Sequence, residues 1–142
     1  PCTVDEPRDP STPLLQAHAG DPVRIHVLGA SSEQNAMFSV EKHEWPIEPF
    51  MPGADLLSVV EFGGSEVIDA FIPAAGGDYH LPGDYVWNNQ RLPYSQSGQW
   101  GYLRVLPTGD QRVLPLNGVV PGVKEAKTQQ SEHGQVTPVG LK

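Results

Sequence analysis

Imidazole and carboxylate groups are the side chains of this sequence best suited to binding a metal ion or moving a proton. The histidines form neither an H-x-H nor an HExxH pattern. They are His18, His26, His43, His80 and His133. The densest polar group is Glu41-Lys42-His43-Glu44, which we interpret as a charged loop leaving a strand. Asp78-Tyr79-His80 follows two glycines and is expected to form a turn. A weak adventitious metal site using His43, His80 or Glu41 is the alternative.

Nucleophilic and nucleotide chemistry has no recognisable motif in this sequence. Cys2 is the single cysteine, so an internal disulfide and a cysteine-based zinc site are excluded. There is no G-x-S-x-G turn, no phosphate-binding loop and no dinucleotide fingerprint. Gly63-Gly64 is interpreted as a hairpin turn. We therefore predict no catalytic residue in this chain.

Charge and composition exclude several classes of protein. The chain has 9 Lys and Arg residues against 17 Asp and Glu residues, a net charge of −8, which would repel nucleic acid. Its longest apolar runs are far shorter than the ~20 residues that span a bilayer, so no membrane insertion is expected. Gly and Pro each occur 15 times in 142 residues, which excludes a helical bundle.

Short alternating apolar runs predict an all-β domain. Val23, Ile25 and Val27 share one face of a half-buried strand at residues 22–28. Further strands are predicted at residues 36–40, 57–62, 66–72, 83–87 and 100–106. Six short strands separated by turns favour an antiparallel sandwich or barrel. Trp45, Trp87 and Trp100 are expected to pack into one apolar core cluster rather than to form a carbohydrate-stacking platform.

Composition divides the chain into three parts. Residues 1–12 are polar and proline-rich and are predicted to be a linker or arm. Residues 13–107 contain the strands and are predicted to form the β-sandwich. Residues 108–142 hold few apolar anchors and are predicted to be an extended or flexible tail. Such ends fit an excised module or a cleaved chain.

Four segments, in order, resemble the cupredoxin domains of multicopper oxidases. GDPVRIHVLGAS at residues 20–31 is similar to that family's GDxVRxxxxNAS strand, and MFSVEKHEW at residues 37–45 is similar to PFHLHGHxW. PGDYVW at residues 82–87 resembles PGxYxYHCH, and GQWGYLRV at residues 98–105 resembles GMWGxLRV. The resemblance implies a Greek-key cupredoxin-like (plastocyanin-like) β-sandwich, in which Trp100 is expected to be buried.

The resemblance also implies where copper ligands would stand, and those positions lack them. The two imidazole positions and the thiolate position of a type 1 copper site fall on Ala36, Tyr94 and Asn89, with Gln99 at the axial position. The trinuclear-cluster positions fall on Ser39, Glu41, Asn88 and Gln90. Only Gln99 is of a type tolerated at its position. His43 keeps the last histidine of the family's HLHGH run, and its replacement by Ala is expected to change stability only modestly.

These observations lead to three functional hypotheses. The first is a metal-free cupredoxin-like structural or interaction domain of a larger multicopper-oxidase-type protein, with no cofactor in this chain and copper only in partner domains. Its expected partners are other cupredoxin domains or chains of the same oxidase. The second is a part of an active oxidase, oxidising a metal or small substrate, whose coppers are held elsewhere. The third is a stand-alone extracytoplasmic binding module using loops around His43, Glu44 and Trp45. An extracytoplasmic location is implied by the resemblance alone.

Overall fold

The described part of the chain contains nine strands and one short α-helix. The computed structural model describes residues 9–30, 34–114 and 116. The first strands are β1 (Leu14–His18), β2 (Val23–Leu28), β3 (Ala36–Val40), β4 (Trp45–Pro46) and β5 (Leu56–Leu57). They are followed by β6 (Val59–Phe62), β7 (Val67–Ile72), β8 (Gly83–Asn89), helix α1 (Leu92–Gln96) and β9 (Trp100–Leu106). The all-β prediction is confirmed.

Two main sheets enclose the core. The larger sheet has the strand order β1-β9-β8-β3-β6, in which β1 runs parallel to β9 and the other neighbours are antiparallel. The smaller sheet pairs β2 with β7, and a short third sheet pairs β4 with β5. Leu103 and Val105 of β9 share one buried cluster with Ala70 and Ile72 of β7. The core therefore lies between the two main sheets, as in a β-sandwich.

The smaller sheet shows the alternation that the sequence predicted. Strand β2 alternates between half-buried and exposed residues along its length. On its exposed face, Arg24 Nη2 lies 2.6 Å from Asp69 Oδ2, and His26 Nδ1 lies 2.5 Å from Asp69 Oδ1. The hydrogen bond from Arg24 holds the pKa of the Asp69 carboxyl below its usual range. The exposed polar side chains of β2 thus contact the Asp69 carboxylate of β7 across the two strands.

Three expectations about local structure were wrong or incomplete. Gly63-Gly64 does not close a hairpin, because β6 pairs with β3 in one sheet and β7 pairs with β2 in the other. Strands β1 and β4 and helix α1 were not predicted, and the strand predicted at residues 57–62 is divided between β5 and β6, which belong to different sheets. Trp100 lies half-buried on the outer face of β9, outside the core cluster, whereas Trp45 is 1% exposed within it.

The segment preceding β1 is attached to the larger sheet by Arg104. This buried guanidinium binds Asp84 through Nε and Nη2 at 2.7 and 2.8 Å, and Asp84 is its direct neighbour across β8 and β9. It also binds Asp9 through Nη2 and Nη1 at 2.7 and 3.0 Å. These hydrogen bonds raise the pKa of Arg104 above its usual range. At least Asp9 of the predicted arm is therefore docked on the sandwich.

The chain following β9 is attached in a similar way near its start. His18 is buried, and its Nε2 lies 2.8 Å from the carbonyl oxygen of Asp110. The carboxylate of Asp110 in turn binds Arg112, which lowers the pKa of Asp110. Residues 1–8, 115 and 117–142 lie outside the described residues, and with them most of the predicted arm and tail. The predicted domain boundaries at residues 12 and 107 stay predictions.

Burial predicts unequal roles for two tryptophans. We expect Trp45→Ala to lower the free energy of unfolding by ~3–5 kcal/mol, because it opens a large cavity in the core. Trp100→Ala should cost only about 1 kcal/mol, because its ring is half-buried and its aromatic contact is with Tyr102 at 5.8 Å. Urea unfolding of both variants followed by circular dichroism measures the difference. Equal losses would contradict this assignment of the core.

Candidate functional site

The four positions implied for a type 1 site lie around one cleft. We call Ala36, Asn89, Tyr94 and Gln99 the inner set. All four line a cleft of about 520 Å³ at one end of the sandwich. Antiparallel pairing places the start of β3 beside the end of β8, and the Asn89 N–H donates to the Gln99 carbonyl just before β9 begins. The four residues assigned to these positions from the sequence resemblance therefore lie close together in the fold.

Asn89 is the most heavily hydrogen-bonded member of the inner set. It is 7% exposed, and its Oδ1 accepts from the backbone N–H groups of Met37 and Arg91, both at 3.1 Å. Its Nδ2 donates to Gln99 Oε1 at 2.9 Å. The Ser95 hydroxyl donates to the Asn89 carbonyl oxygen. The amide at the implied thiolate position therefore bonds directly to the amide at the implied axial position.

The other two members of the inner set contribute no imidazole. Ala36 carries a single methyl group and cannot coordinate a metal. Tyr94 lies on α1, which has Pro93 in its first turn as helix starts commonly do. The Arg91 guanidinium lies 5.8 Å from the centre of the Tyr94 ring. This end of the sandwich consequently presents a methyl group, a phenol and two bonded amides.

The trinuclear positions lie mainly on the opposite face of the same sheet. We call Ser39, Glu41, Asn88 and Gln90 the outer set. Ser39 and Asn88 are direct cross-strand neighbours, and the Ser39 hydroxyl donates to Asn88 Oδ1 at 2.8 Å. Gln90 Nε2 donates to that hydroxyl at 2.7 Å. Three of the four residues thus form one hydrogen-bonded chain.

Glu41 stands apart from the rest of the outer set. Its Oε2 accepts a long hydrogen bond of 3.4 Å from the Val86 N–H. With Ser39 and Gln90 it lines a second cleft of about 590 Å³, which also contains Lys42, Glu44 and Asp78. Neutral groups that bond one another, next to carboxylates, offer little to a copper ion, which prefers imidazole and thiolate ligands.

His43 points into the protein although its sequence neighbours are charged. It is 1% exposed, and its Nε2 accepts from the Gly76 N–H at 2.9 Å while its Nδ1 donates to the Glu41 carbonyl at 2.7 Å. This pattern selects the neutral ring with its proton on Nδ1. Tyr85 packs against the ring edge-to-face at 4.7 Å. Both nitrogens are occupied, which disfavours His43 as an adventitious ligand.

The position of Gly76 also requires glycine. Its φ of 86° lies in the left-handed region, and a Cβ there would stand 2.6 Å from the backbone nitrogen and oxygen of Leu81. Glycine thus brings the Gly76 N–H to the imidazole. The partner of His43 comes from 33 residues away along the chain. Sequence reasoning missed this bond because the local pattern shows only a charged loop.

His80 and the remaining acidic groups do not complete a metal site. His80 is exposed, follows a short 3-10 turn at Gly77–Tyr79, and lies against Gly20. Within residues 9–30, 34–114 and 116, no three His, Cys, Asp or Glu residues are grouped so as to hold a metal ion. Cys2 and His133 are outside the described residues. None of the helices among these residues has the length and hydrophobicity that a bilayer-spanning helix needs.

Sequence reasoning also missed Trp87 as a potential binding group. Its indole Nε1 is buried and has no hydrogen-bond partner among the described residues. The ring lines the same cleft as the inner set. Its place after PGDYV in the resemblance indicated a strand position only, and no sequence pattern reveals an unpaired donor. The unpaired donor therefore belongs to a residue that lines the cleft together with the amides of Asn89 and Gln99.

The two bonds of the imidazole predict a structural role for His43. We expect His43→Ala to lower the free energy of unfolding by roughly 2–4 kcal/mol, because it leaves the Gly76 N–H and the Glu41 carbonyl unpaired next to a cavity. This is more than the modest change expected from the sequence. The exposed His80→Ala variant is the control and should lose less than about 1 kcal/mol. Chemical unfolding of both variants is the measurement, and similar small losses would contradict the role.

Comparisons with known proteins give a structural likeness without a sequence relative. No family model and no curated protein matches the chain. Solved structures that it resembles include a multicopper oxidase, with 13% identity, a TM-score of 0.51 and coverage of 64% of this chain and 32% of the oxidase. Another is a copper nitrite reductase from Nitrosomonas europaea, with 14% identity, a TM-score of 0.50 and coverage of 67% of this chain and 33% of the reductase.

The likeness therefore concerns one unit of larger proteins. This chain spans about a third of the length of each of these two copper proteins. Identities this low show a shared fold and leave the chemistry to be argued from the residues. The fold implied by the four sequence segments is confirmed: the chain is a cupredoxin-like β-sandwich.

Proposed function

We propose that this chain is a metal-free cupredoxin-like structural or interaction domain of a larger multicopper-oxidase-type protein. The observation that carries the proposal is the pairing of side chains at the implied ligand positions. Asn89 bonds to Gln99, and Gln90 bonds through Ser39 to Asn88. These residues stabilise the sandwich where metal ligands would otherwise be, so the proposed role requires no cofactor in this chain.

Physical chemistry supports this proposal at Asn89. Its Oδ1 already accepts two backbone N–H groups, so a metal at this place would have to displace them. Buried N–H groups that lose their acceptor cost about 1–3 kcal/mol each. A neutral amide oxygen is also a poor copper ligand compared with thiolate or imidazole. Copper binding at Asn89 would thus break two backbone hydrogen bonds and replace them with weak coordination by an amide oxygen.

An exposed apolar loop supports an interaction role. The loop between β4 and β5 exposes Ile47, Phe50 and Met51, and β5 itself exposes Leu56. Phe50 is 83% exposed. The Phe50 ring rests on Phe71 with the ring centres 5.1 Å apart. Neighbouring exposed apolar side chains often mark contact surfaces. The partners we propose are other cupredoxin domains or chains of the same oxidase, in an extracytoplasmic compartment.

A second candidate is a non-catalytic part of an active copper oxidase whose coppers are bound by other domains or chains. Its support is that the chain covers about a third of the multicopper oxidase that it resembles. The two candidates share the same chemistry within this chain. A stand-alone binding module using loops around His43, Glu44 and Trp45 is less well supported, because His43 and Trp45 are each 1% exposed, which leaves Glu44 as the accessible side chain of the three.

Copper content tests the metal-free proposal. After incubation with excess Cu(II), and separately with Cu(I), followed by desalting against a chelator, we expect no stoichiometric copper and no visible thiolate band. The Cys2→Ser variant should give the same result, which separates the ligand positions from the thiol of Cys2. About one copper per chain retained by both proteins would contradict the proposal.

Restoring the ligands supplies a positive control. A variant combining Ala36→His, Asn89→Cys and Tyr94→His should bind about one copper per chain with an intense blue thiolate band, because two imidazoles and a thiolate then line one cleft. Asn89→Cys alone, which adds the thiolate without imidazoles, should not show that band. A folded triple variant without copper would show that the implied positions are wrong.

A further inference from the structure

In the loop between β4 and β5, Phe50 lies at a turn position that glycine usually fills. The Met51 N–H donates to the Glu48 carbonyl at 3.3 Å, which closes a turn with Pro49 second and Phe50 third. Phe50 has a φ of 71°, and a type II turn requires such a positive φ at its third residue, where glycine is usual. The next turn along the chain follows that rule, with Gly53 at a φ of 78°. The loop therefore holds a phenylalanine in a backbone conformation that is unfavourable for it.

The side chain of Phe50 is also unfavourably placed in a free chain. We call residues 47–55 the Phe50 loop. The Phe50 ring is largely exposed and rests on Phe71, and Ile47 and Met51 of the same loop are exposed as well. An aromatic ring flanked by apolar side chains is typical of the residues that contribute most to interfaces. Backbone strain and exposure at one residue thus indicate a binding role for the loop.

The charges within the Phe50 loop are negative. Glu48 and Asp55 are exposed in it, and no Lys or Arg occurs between residues 44 and 62. Two such loops meeting face to face would bring their carboxylates together, which disfavours a symmetric contact of loop with loop. The loop therefore fits an apolar opening that has a positive charge beside it and no carboxylate in its lining.

The cleft of the inner set is an opening of this kind on the same chain. Its volume of about 520 Å³ is larger than a phenylalanine side chain. Apolar groups supply much of its lining, among them Ile25, Val27, Phe38 and Phe62. Among the described residues, no Asp or Glu lines it. The cleft can thus accept an apolar ring without placing a carboxylate against an acidic loop.

Arg91 places a positive charge beside this cleft. Its guanidinium lies 5.8 Å from the centre of the Tyr94 ring, and Tyr94 lines the cleft. The same guanidinium donates to the Asn35 carbonyl at 2.9 Å and to Gln34 Oε1 at 2.5 Å, and both acceptors are uncharged. These bonds do not neutralise its charge, so Arg91 can attract a carboxylate of the Phe50 loop.

Within one copy, the Phe50 loop and the cleft lie at different ends of the smaller sheet. The Phe50 ring rests on Phe71, which pairs with Arg24 near the beginning of β2. The cleft is instead lined by the chain at the end of β2, including Gly29 and Ala30. A contact between the two surfaces therefore requires a second copy of the chain.

We propose that copies of this chain associate head to tail, with Phe50 of one copy inserted into the inner-set cleft of the next and the acidic loop beside Arg91. This inference deepens the proposed interaction role and rests on it, because it names a second copy as the partner. Each pair keeps one free loop and one free cleft, so the contact continues into a larger assembly or closes into a ring. The metal-free proposal is tested by copper content, so either proposal can fail while the other stands.

Sedimentation velocity of the full chain tests the association, under reducing conditions that keep Cys2 from linking copies. We expect the average mass to rise with protein concentration, as for a small and weak interface. Phe50→Gly should weaken the association about tenfold or more, because it removes the ring while the positive φ suits glycine. Tyr79→Ser removes another exposed aromatic ring and is the matched control, which should associate like the wild-type chain.

Mixing two variants distinguishes a head-to-tail contact from a symmetric one. Ala36→Leu fills the cleft and keeps the Phe50 loop, whereas Phe50→Gly keeps the cleft and lacks the ring. Each variant alone should be nearly monomeric at concentrations where the wild-type chain associates. Their equimolar mixture should form one-to-one pairs and nothing larger, because each pair has one productive contact and no second loop and cleft to extend it.

Charge variants test the electrostatic part of the contact. Arg91→Glu should weaken the association about tenfold, because it places a carboxylate against the acidic loop. It also serves as the cleft variant in the mixture if circular dichroism shows that Ala36→Leu does not fold. Glu61→Gln should strengthen the association, because Glu61 binds the Asn35 side chain at 3.0 Å and repels the acidic loop.

Several results would overturn the proposal. These are a wild-type chain that stays monomeric at every concentration, a Phe50→Gly variant that associates like the wild type, and a mixture that forms no pairs. Association of the folded cleft variant alone at wild-type strength would indicate a contact of loop with loop and would also overturn it. The same holds if Tyr79→Ser weakens the association as much as Phe50→Gly, or if Glu61→Gln weakens it.

Discussion

The arrangement of one end of this sandwich depends on the Asn89 side chain. Its oxygen accepts from the backbone of β3 at Met37 and from the chain after β8 at Arg91, and its nitrogen donates to Gln99 before β9. Buried polar groups need such partners, since each unpaired one costs about 1–3 kcal/mol. One amide thus links three segments, and the same bonds occupy the place where the family resemblance implies a metal ligand.

Much of the sheet structure was predictable because the burial of strand residues produces recognisable apolar patterns in the sequence. Alternation in β2 and the apolar runs of β3, β7 and β9 identify those strands directly. Strand β1 was missed because every residue of LLQAH is at least half-buried and no alternation results. Pairing partners are set by tertiary packing, so Gly63-Gly64 resembled a hairpin although the flanking strands belong to different sheets.

The sequence predicted which residues stand at the implied ligand positions, but it did not predict the hydrogen bonds that these residues make with one another. Counting along the four similar segments selected Ala36, Asn89, Tyr94 and Gln99, which the fold places around one cleft. That the replacing side chains bond one another could not be read from spacing, because each bond joins residues fixed by different strands. The same holds for His43 and Gly76, and for the unpaired donor of Trp87. The cupredoxin-like fold thus has neutral side chains that hydrogen-bond one another at these positions.

Hydrogen bonds between neutral side chains stabilise the positions implied for copper, so copper should not stabilise the folded domain. The measurement is the midpoint of thermal unfolding of the Cys2→Ser protein, compared in excess copper and in excess chelator. Any ligand that binds the folded state raises that midpoint by mass action. We expect the two midpoints to agree within about 1 °C. A saturable rise of about 5 °C or more with copper would instead show that the folded domain binds the metal in place of these hydrogen bonds.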